Sequence, residues 1–233
     1  MSRRQKPLTQ VVAAAVIDLV GRVLIAQRPP GKHLAGRWEF PGGKLEAGED
    51  RRAGLARELR EELGITLTGT PRPLIRVRHT YDYGEVLIDM WVARQYSGEP
   101  RGLEGQSLRW CTQDELKSVE LLPADGPIVA ALRLPEKLSE TSAPEYVVGR
   151  LAEASAEADG RLRGVWCDGM ADAMAASDAG ADFLVLRNEL SHAEIRSMCE
   201  LVPVPVYVWG LEVEEAWGLG ATGIVEIARH RAT

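Results

Sequence analysis

Three glutamates, Glu58, Glu61 and Glu62, stand within five residues at the end of the stretch GKLEAGEDRRAGLARELREELGI, which begins at Gly43. This stretch constrains the fold more than any other. Asp50 to Leu63 has the pattern of a helix, with Asp50 suited to cap its start and Gly64 to end it. On a helix turning 100° per residue, positions i, i+3 and i+4 share one arc of about 100°. Leu55, Leu59 and Leu63 form an adjoining stripe that would pin the helix to a core. Like charges at such spacing repel by roughly 0.2–0.5 kcal/mol per pair. Two readings account for them: a solvated face balanced by neighbouring arginines, or a site for a hard divalent cation such as Mg²⁺ or Mn²⁺.

The preceding loop favours the second reading. Gly42 and Gly43 permit close backbone approach, so a carbonyl oxygen can turn toward the same cation. Lys44 is placed to meet a phosphate. Glu49 and Arg57 are spaced to pair across the loop and the helix start.

The segment fits G-x5-E-x7-R-E-U-x-E-E-x-G-U, where U is bulky and apolar, through Gly43, Glu49, Arg57, Glu58, Leu59, Glu61, Glu62, Gly64 and Ile65. This resembles the Nudix box of the Nudix hydrolases. WEFPGGKLEAGE and SGEPRGLEGQSLRW are similar to the MutT branch, the 8-oxo-dGTP diphosphatases. The resemblance covers about residues 8 to 135. It implies an α/β fold: an α/β/α sandwich with a mixed sheet. It implies that Glu58, Glu61 and Glu62 ligate Mg²⁺ (or Mn²⁺) with a backbone oxygen at Gly43, that Glu104 is a further carboxylate on a loop over the metal, and that Glu49 and Arg57 are a structural ion pair. Arg28, Lys44 and Tyr81 align with substrate-contacting positions. The implied reaction is water attack on a nucleoside triphosphate, giving a nucleoside monophosphate and pyrophosphate, in the service of nucleotide-pool sanitation and DNA repair. Glu58 or Glu104 would take the proton of the water.

Base choice is where this chain departs from that branch. An asparagine is expected before the C-terminal helix, and LLPADGPIV has Asp125 there. An amide both donates and accepts, so it can meet O6 and N7–H of 8-oxoguanine. An aspartate does the same only if protonated, which needs a dry pocket. The plainer reading of Asp125 is a helix cap. A Nudix enzyme for another nucleoside diphosphate derivative is the alternative within the class.

Along the rest of the chain, Val11–Ile17 and Arg22–Gln27 read as a hairpin, Trp38–Phe40 as a short strand, and Leu74–Tyr83 with Glu85–Tyr96 as paired strands. Ser107–Cys111 reads as a strand and Asp125–Leu134 as a helix. These expectations divide the chain into a Nudix domain at 1–134, a linker at 135–145 and a second domain at 146–233. In the last part, short apolar runs (Gly164–Cys167, Phe183–Arg187, Val204–Trp209, Gly223–Ile227) alternate with helical segments, the signature of parallel βα units. These segments resemble the last units of thiamine-phosphate synthase and its TenI-like relatives. Room exists for only three to four units, a partial barrel, and Trp209-Gly210 stands where that family carries paired glycines. A phosphate-binding module of that kind is the alternative from a different class. Exposed strand edges there favour a homodimer.

A net charge of −6 argues against a sequence-independent grip on polymeric nucleic acid. Three dispersed cysteines read as reduced thiols of a cytoplasmic protein. The apolar run Val11–Ile17 is too short to span a membrane, and MSRRQKPLTQ lacks the pattern of a signal peptide.

Overall fold

The structure, a computed structural model, describes residues 8–139, 143–151, 160–187 and 189–226. The first seven residues of the basic N-terminal segment, part of the expected linker and Ile227 lie outside these. The chain divides into two compact units, residues 1–72 with 77–129, and residues 73–76 with 130–233. Among the described residues no helix is long and apolar enough to cross a membrane.

The first unit contains β1 (Leu8–Val16), β2 (Val23–Gln27), β3 (Trp38–Glu39), β4 (Gly42–Lys44), α1 (Arg51–Leu63), β5 (Thr66–Leu67), β6 (Arg72–Tyr81, of which residues 73–76 group with the second unit), β7 (Gly84–Ala93), β8 (Tyr96–Ser97), β9 (Leu108–Cys111) and α2 (Gln113–Leu116). A single 3₁₀ turn at Pro123–Asp125 then leads into α3 (Gly126–Ala131). The main sheet runs β4-β1-β7-β6. It is mixed: β1 is antiparallel to β4, with Val12 opposite Gly43, and parallel to β7, with Val12 opposite Asp89. A second, antiparallel sheet runs β3-β2-β9.

The turn expected between the first two apolar runs forms, with the Asp18 amide donating to the Arg22 carbonyl at 3.0 Å and Ile17 bridging Val23 antiparallel, but the hairpin extends no further: β1 and β2 part into different sheets. The reason is in β1 itself. Val12 to Val16 is buried at every position rather than alternating. A strand apolar on both faces needs neighbours at both edges and cover above and below, which a two-stranded ribbon cannot provide.

Helix α1 forms as its caps predict. The Asp50 carboxylate accepts from the amides of Arg52 and Ala53 at 3.0 and 3.1 Å. Gly64 ends the helix at φ 70°, a left-handed conformation that a side chain disfavours. Leu55, Leu59 and Leu63 are each wholly buried, against Val12, Ala14, Val16, Leu24 and Trp91. Burial of each leucine contributes about 1.5–3 kcal/mol. That stripe fixes the rotation of α1 and therefore which of its glutamates face inward.

The second unit contains β10 (Lys137–Ser139), β11 (Tyr146–Gly149), β12 (Leu162–Cys167), α4 (Met170–Asp178), β13 (Phe183–Leu186), α5 (His192–Leu201), β14 (Val206–Trp209), α6 (Val213–Gly218) and β15 (Gly223–Glu226). The strands run β10-β15-β14-β13-β12-β11, and every pairing is parallel. Val165, Leu184, Leu186 and Val208 pack under the helices, while Phe183, Val185, Tyr207 and Val225 fill the other face. β10 and β11 lie at opposite edges of the sheet, yet the Ser139 amide donates to the Tyr146 hydroxyl at 2.7 Å. The sheet therefore curls toward closure, a partial βα barrel with three intervening helices among the described residues. Part of the expected linker is strand: β10 falls inside 135–145, with Leu138 fully buried. Three residues are too few to show a periodic pattern.

Candidate active site

β4 packs closely against both the α1 carboxylate of Glu58 and the backbone of β1. A Cβ on Gly43 would lie 2.2 Å from Glu58 Oε2, and one on Gly42, which has φ +149°, would lie 2.1 Å from the Val12 carbonyl oxygen. Beside this contact lies a cavity of about 580 Å³ lined by residues of the first unit, including Gly43, Glu58, Glu62 and Glu104.

Arg57 ties the loop to the helix. Its Nε and Nη2 donate to the two oxygens of Glu49, each at 2.9 Å. Nη2 also reaches the Lys44 carbonyl at 3.1 Å, and Nη1 reaches Glu58 Oε1 at 2.8 Å. The guanidinium holds the Glu49 carboxyl far below its usual range, at about 2. Lys44 itself lines the cavity.

The three helix glutamates do not act as one group. Glu58 and Glu62 line the cavity. Glu61 lies outside it, 56% exposed, with Oε2 3.2 Å from Arg57 Nη1. Helix geometry explains the split: Glu61 points roughly 60° to one side of Glu58 and Glu62 roughly 40° to the other, and β4 covers the second side. Burial pushes the Glu62 carboxyl up to about 7; Gly42 opposes this by donating its amide to Oε2 at 3.1 Å, and the charges of Glu104, Glu39 and Glu58 add to it. Glu104 comes from the loop between β8 and β9, and its Oε2 pairs with Lys32 Nζ at 3.0 Å.

Asp125 also lines the cavity, 3% exposed, with Oδ2 lacking any hydrogen-bond partner. Burial pushes its carboxyl up to about 8, with Glu39 adding and Arg28 opposing. Helix α3 begins at the next residue, yet the unpartnered Oδ2 caps none of its amides. Arg28 lines the cavity with its guanidinium engaged, Nη1 on Glu39 Oε2 and Nε on the His33 carbonyl at 2.8 Å. Tyr81 also lines it, stacked on Tyr83 with ring centroids 5.2 Å apart and planes 5° from parallel. His33 meets both rings edge-on.

Four residues here were not singled out from the sequence: Lys32, His33, Glu39 and Tyr83. Lys32 and His33 lie in the Pro29–Gly36 stretch, where only loop character was legible. Glu39 lies in WEFPGGK, where the strand pattern masked its side chain's role.

The donor set suits a hard divalent cation. It is all oxygen, and a buried carboxyl as perturbed as Glu62, beside other acids, is relieved by a bound positive charge. Glu58, Glu62 and Glu104 bring carboxylates to the cavity wall. In this conformation no three such groups among the described residues already converge on one point.

Fold and site together define a class: a hydrolase in which a capped acidic helix is pinned against a glycine strand at the edge of a mixed sheet. The chain belongs to the NUDIX domain family, whose profile matches residues 12–131, more than half of its length. It is thus a Nudix hydrolase. It is similar to the CTP pyrophosphohydrolase of Escherichia coli K12, 40% identical over 121 residues that cover 52% of this chain and 88% of the relative. It is also similar to a putative 8-oxo-dGTP diphosphatase 2 of Mycobacterium tuberculosis, 41% identical over 128 residues, covering 54% and 89%. The 8-oxo-dGTP diphosphatase of Escherichia coli K12 is 30% identical over 127 residues, covering 53% and 95%.

Proposed function

We propose that this chain is a Mg²⁺-dependent nucleoside triphosphate pyrophosphohydrolase that releases a nucleoside monophosphate and pyrophosphate, with 8-oxo-dGTP as its leading substrate. One observation carries the reading: a single cavity is lined both by the carboxylates of Glu58, Glu62 and Glu104 and by a buried carboxyl, Asp125, with an unpartnered oxygen. The carboxylates suit a metal–phosphate group and the buried carboxyl suits the edge of a base.

Glu58, Glu62 and Glu104 would hold a divalent ion, which would supply polarisation of the phosphoryl oxygens and a more acidic water. The protein's own groups do the rest. Arg57 holds the Lys44 carbonyl, Glu49 and Glu58 in register. Glu58 or Glu104 accepts the proton of the attacking water. Tyr81 offers an apolar face to the base, and Arg28 keeps Glu39 in place. Neutral Asp125 presents one donor and one acceptor, the pattern of an amide, toward O6 and N7–H of an oxidised guanine.

The same pattern meets N3 and the amino group of cytosine. That match, with the 40% identical relative that is a CTP pyrophosphohydrolase, favours a second reading, a cytosine nucleotide. Steady-state kcat/KM for 8-oxo-dGTP, dGTP, CTP and dCTP with Mg²⁺ separates the two. Failure to hydrolyse any of the four refutes both. The reading places the enzyme in the cytoplasm, acting on free nucleotides. It gives the second unit no catalytic part.

A further inference from the structure

Glu104 stands on a loop held by one glutamine. Helix α1 leaves the carbonyls of its last turn without partners inside the helix. The loop takes them up: the Arg101 amide donates to the Leu63 carbonyl and the Leu103 amide to the Glu62 carbonyl, each at 3.0 Å. The side chain of Gln106 then makes two further bonds. Its Nε2 donates to the Glu62 carbonyl at 3.1 Å, and its Oε1 accepts from the Glu104 amide at 2.8 Å. One planar amide therefore spans the backbones of two residues whose carboxylates line the same cavity. The loop is built for this closure, since a Cβ on Gly102 would lie 2.0 Å from the Gln106 carbonyl oxygen.

We propose that Gln106 is a positioning residue: it sets the distance between the Glu104 and Glu62 carboxylates, and through them the affinity of the site for a divalent cation. A primary amide is the group for the task because it donates and accepts in one plane. No other common side chain of that length does both. The partner bonds lie on backbone atoms, so either carboxylate can be altered without breaking the clamp. The inference rests on the proposed pyrophosphohydrolase reading.

The test is a double-mutant cycle of Gln106→Met and Glu104→Gln, with two readouts. The first is Mn²⁺ binding without nucleotide, followed by the loss of free Mn²⁺ in its electron paramagnetic resonance spectrum. The second is kcat and KM with the best nucleotide of the panel. Residues that orient metal ligands commonly change affinity or activity about tenfold or more. Gln106→Met is expected to weaken Mn²⁺ binding and lower kcat by about that factor, with KM within about twofold. In the Glu104→Gln background the same substitution is expected to add little, because residues acting through one another are not additive. Full additivity, or unchanged Mn²⁺ binding in the single variant, overturns the proposal. Should the Met variant lose its circular dichroism spectrum, Gln106→Asn replaces it in the same cycle with the same outcomes, since it keeps a neutral amide one methylene too short to span both backbones. A wild-type chain that binds Mn²⁺ by this cycle yet hydrolyses no nucleotide leaves the role of Gln106 standing and removes the pyrophosphohydrolase reading instead.

Discussion

Arg57 grips Glu49 through two parallel bonds of 2.9 Å, one from Nε and one from Nη2. The forked geometry is particular to arginine. Arg57→Lys keeps the charge and loses the fork, so the Lys44 carbonyl and Glu58 are no longer held together. We expect kcat/KM to fall at least about tenfold, measured against the best nucleotide substrate. Activity within a factor of two of wild type would contradict the clamp.

The same pair has a signature in acid. The Glu49 carboxyl titrates at about 2 in the folded chain, against 4.5 for the unperturbed group. A depressed folded pKa contributes stability that is complete above 4.5 and is lost as pH falls through 2. Glu49→Gln should therefore be less stable than wild type at pH 6, with the gap narrowing on acidification. Urea midpoints at pH 6, 4 and 3 check this. A gap that is constant with pH excludes the linkage.

Glu62 and Asp125 act in the opposite sense. Their folded carboxyls hold protons up to about 7 and about 8, against 4.5 and 3.8 for unperturbed groups. Between those values the native chain binds more protons than the unfolded one, so stability falls as pH rises. With EDTA present, Tm should decline between pH 5 and pH 8. Glu62→Gln should flatten the part below about 7, and added Mg²⁺ should raise Tm more at pH 8 than at pH 5. A Tm that climbs over this range in EDTA sinks the prediction.

Selectivity for the base should also depend on pH. Neutral Asp125 donates and accepts; once ionised above about 8 it only accepts. The preference for the favoured nucleotide should drop about tenfold across that region, the scale of one lost hydrogen bond in a buried site. Asp125→Asn should keep the preference and remove its pH dependence. Ratios of kcat/KM between pH 6.5 and 9 read this out, and an identical profile in both proteins would show that Asp125 does not face the base.

Gly43→Ala tests the contact between β4 and α1. The added Cβ would meet the carboxylate end of Glu58 at 2.2 Å, not backbone. A flexible side chain gives way, so the chain should fold with Glu58 displaced. We expect kcat to fall about a hundredfold, as for a misplacement of about 1 Å at a reacting centre, with little change in Tm. Near-normal kcat would mean that Glu58 works elsewhere.

Much of α1 is legible in the one-dimensional pattern because its causes are local. Asp50, Gly64 and the leucines at 55, 59 and 63 act within a few residues of one another, and all take the places their spacing predicts. The βα alternation of the second unit is equally local. β1 and β2 were harder. Their partners come from β7 and from β9, distant in the chain, and an apolar run does not say which edge it will share. Lys32 escapes sequence reading for a similar reason: it gains meaning only from Glu104, far along the chain. Gln106 lies within the stretch SGEPRGLEGQSLRW, but its bond to the Glu62 carbonyl joins residues 44 apart and is not legible there.

By itself, then, the order of residues determined an acidic helix with defined ends, a glycine turn before it, membership of the Nudix family and a parallel βα unit behind. Only tertiary structure decided that Glu62 faces the cavity while Glu61 does not, and that Asp125 lies buried with an unpartnered oxygen. The physical reason is desolvation. Periodicity places a charged group on a surface, but whether that surface stays wet depends on which distant strand and loop cover it, and dryness sets both protonation and ligand choice.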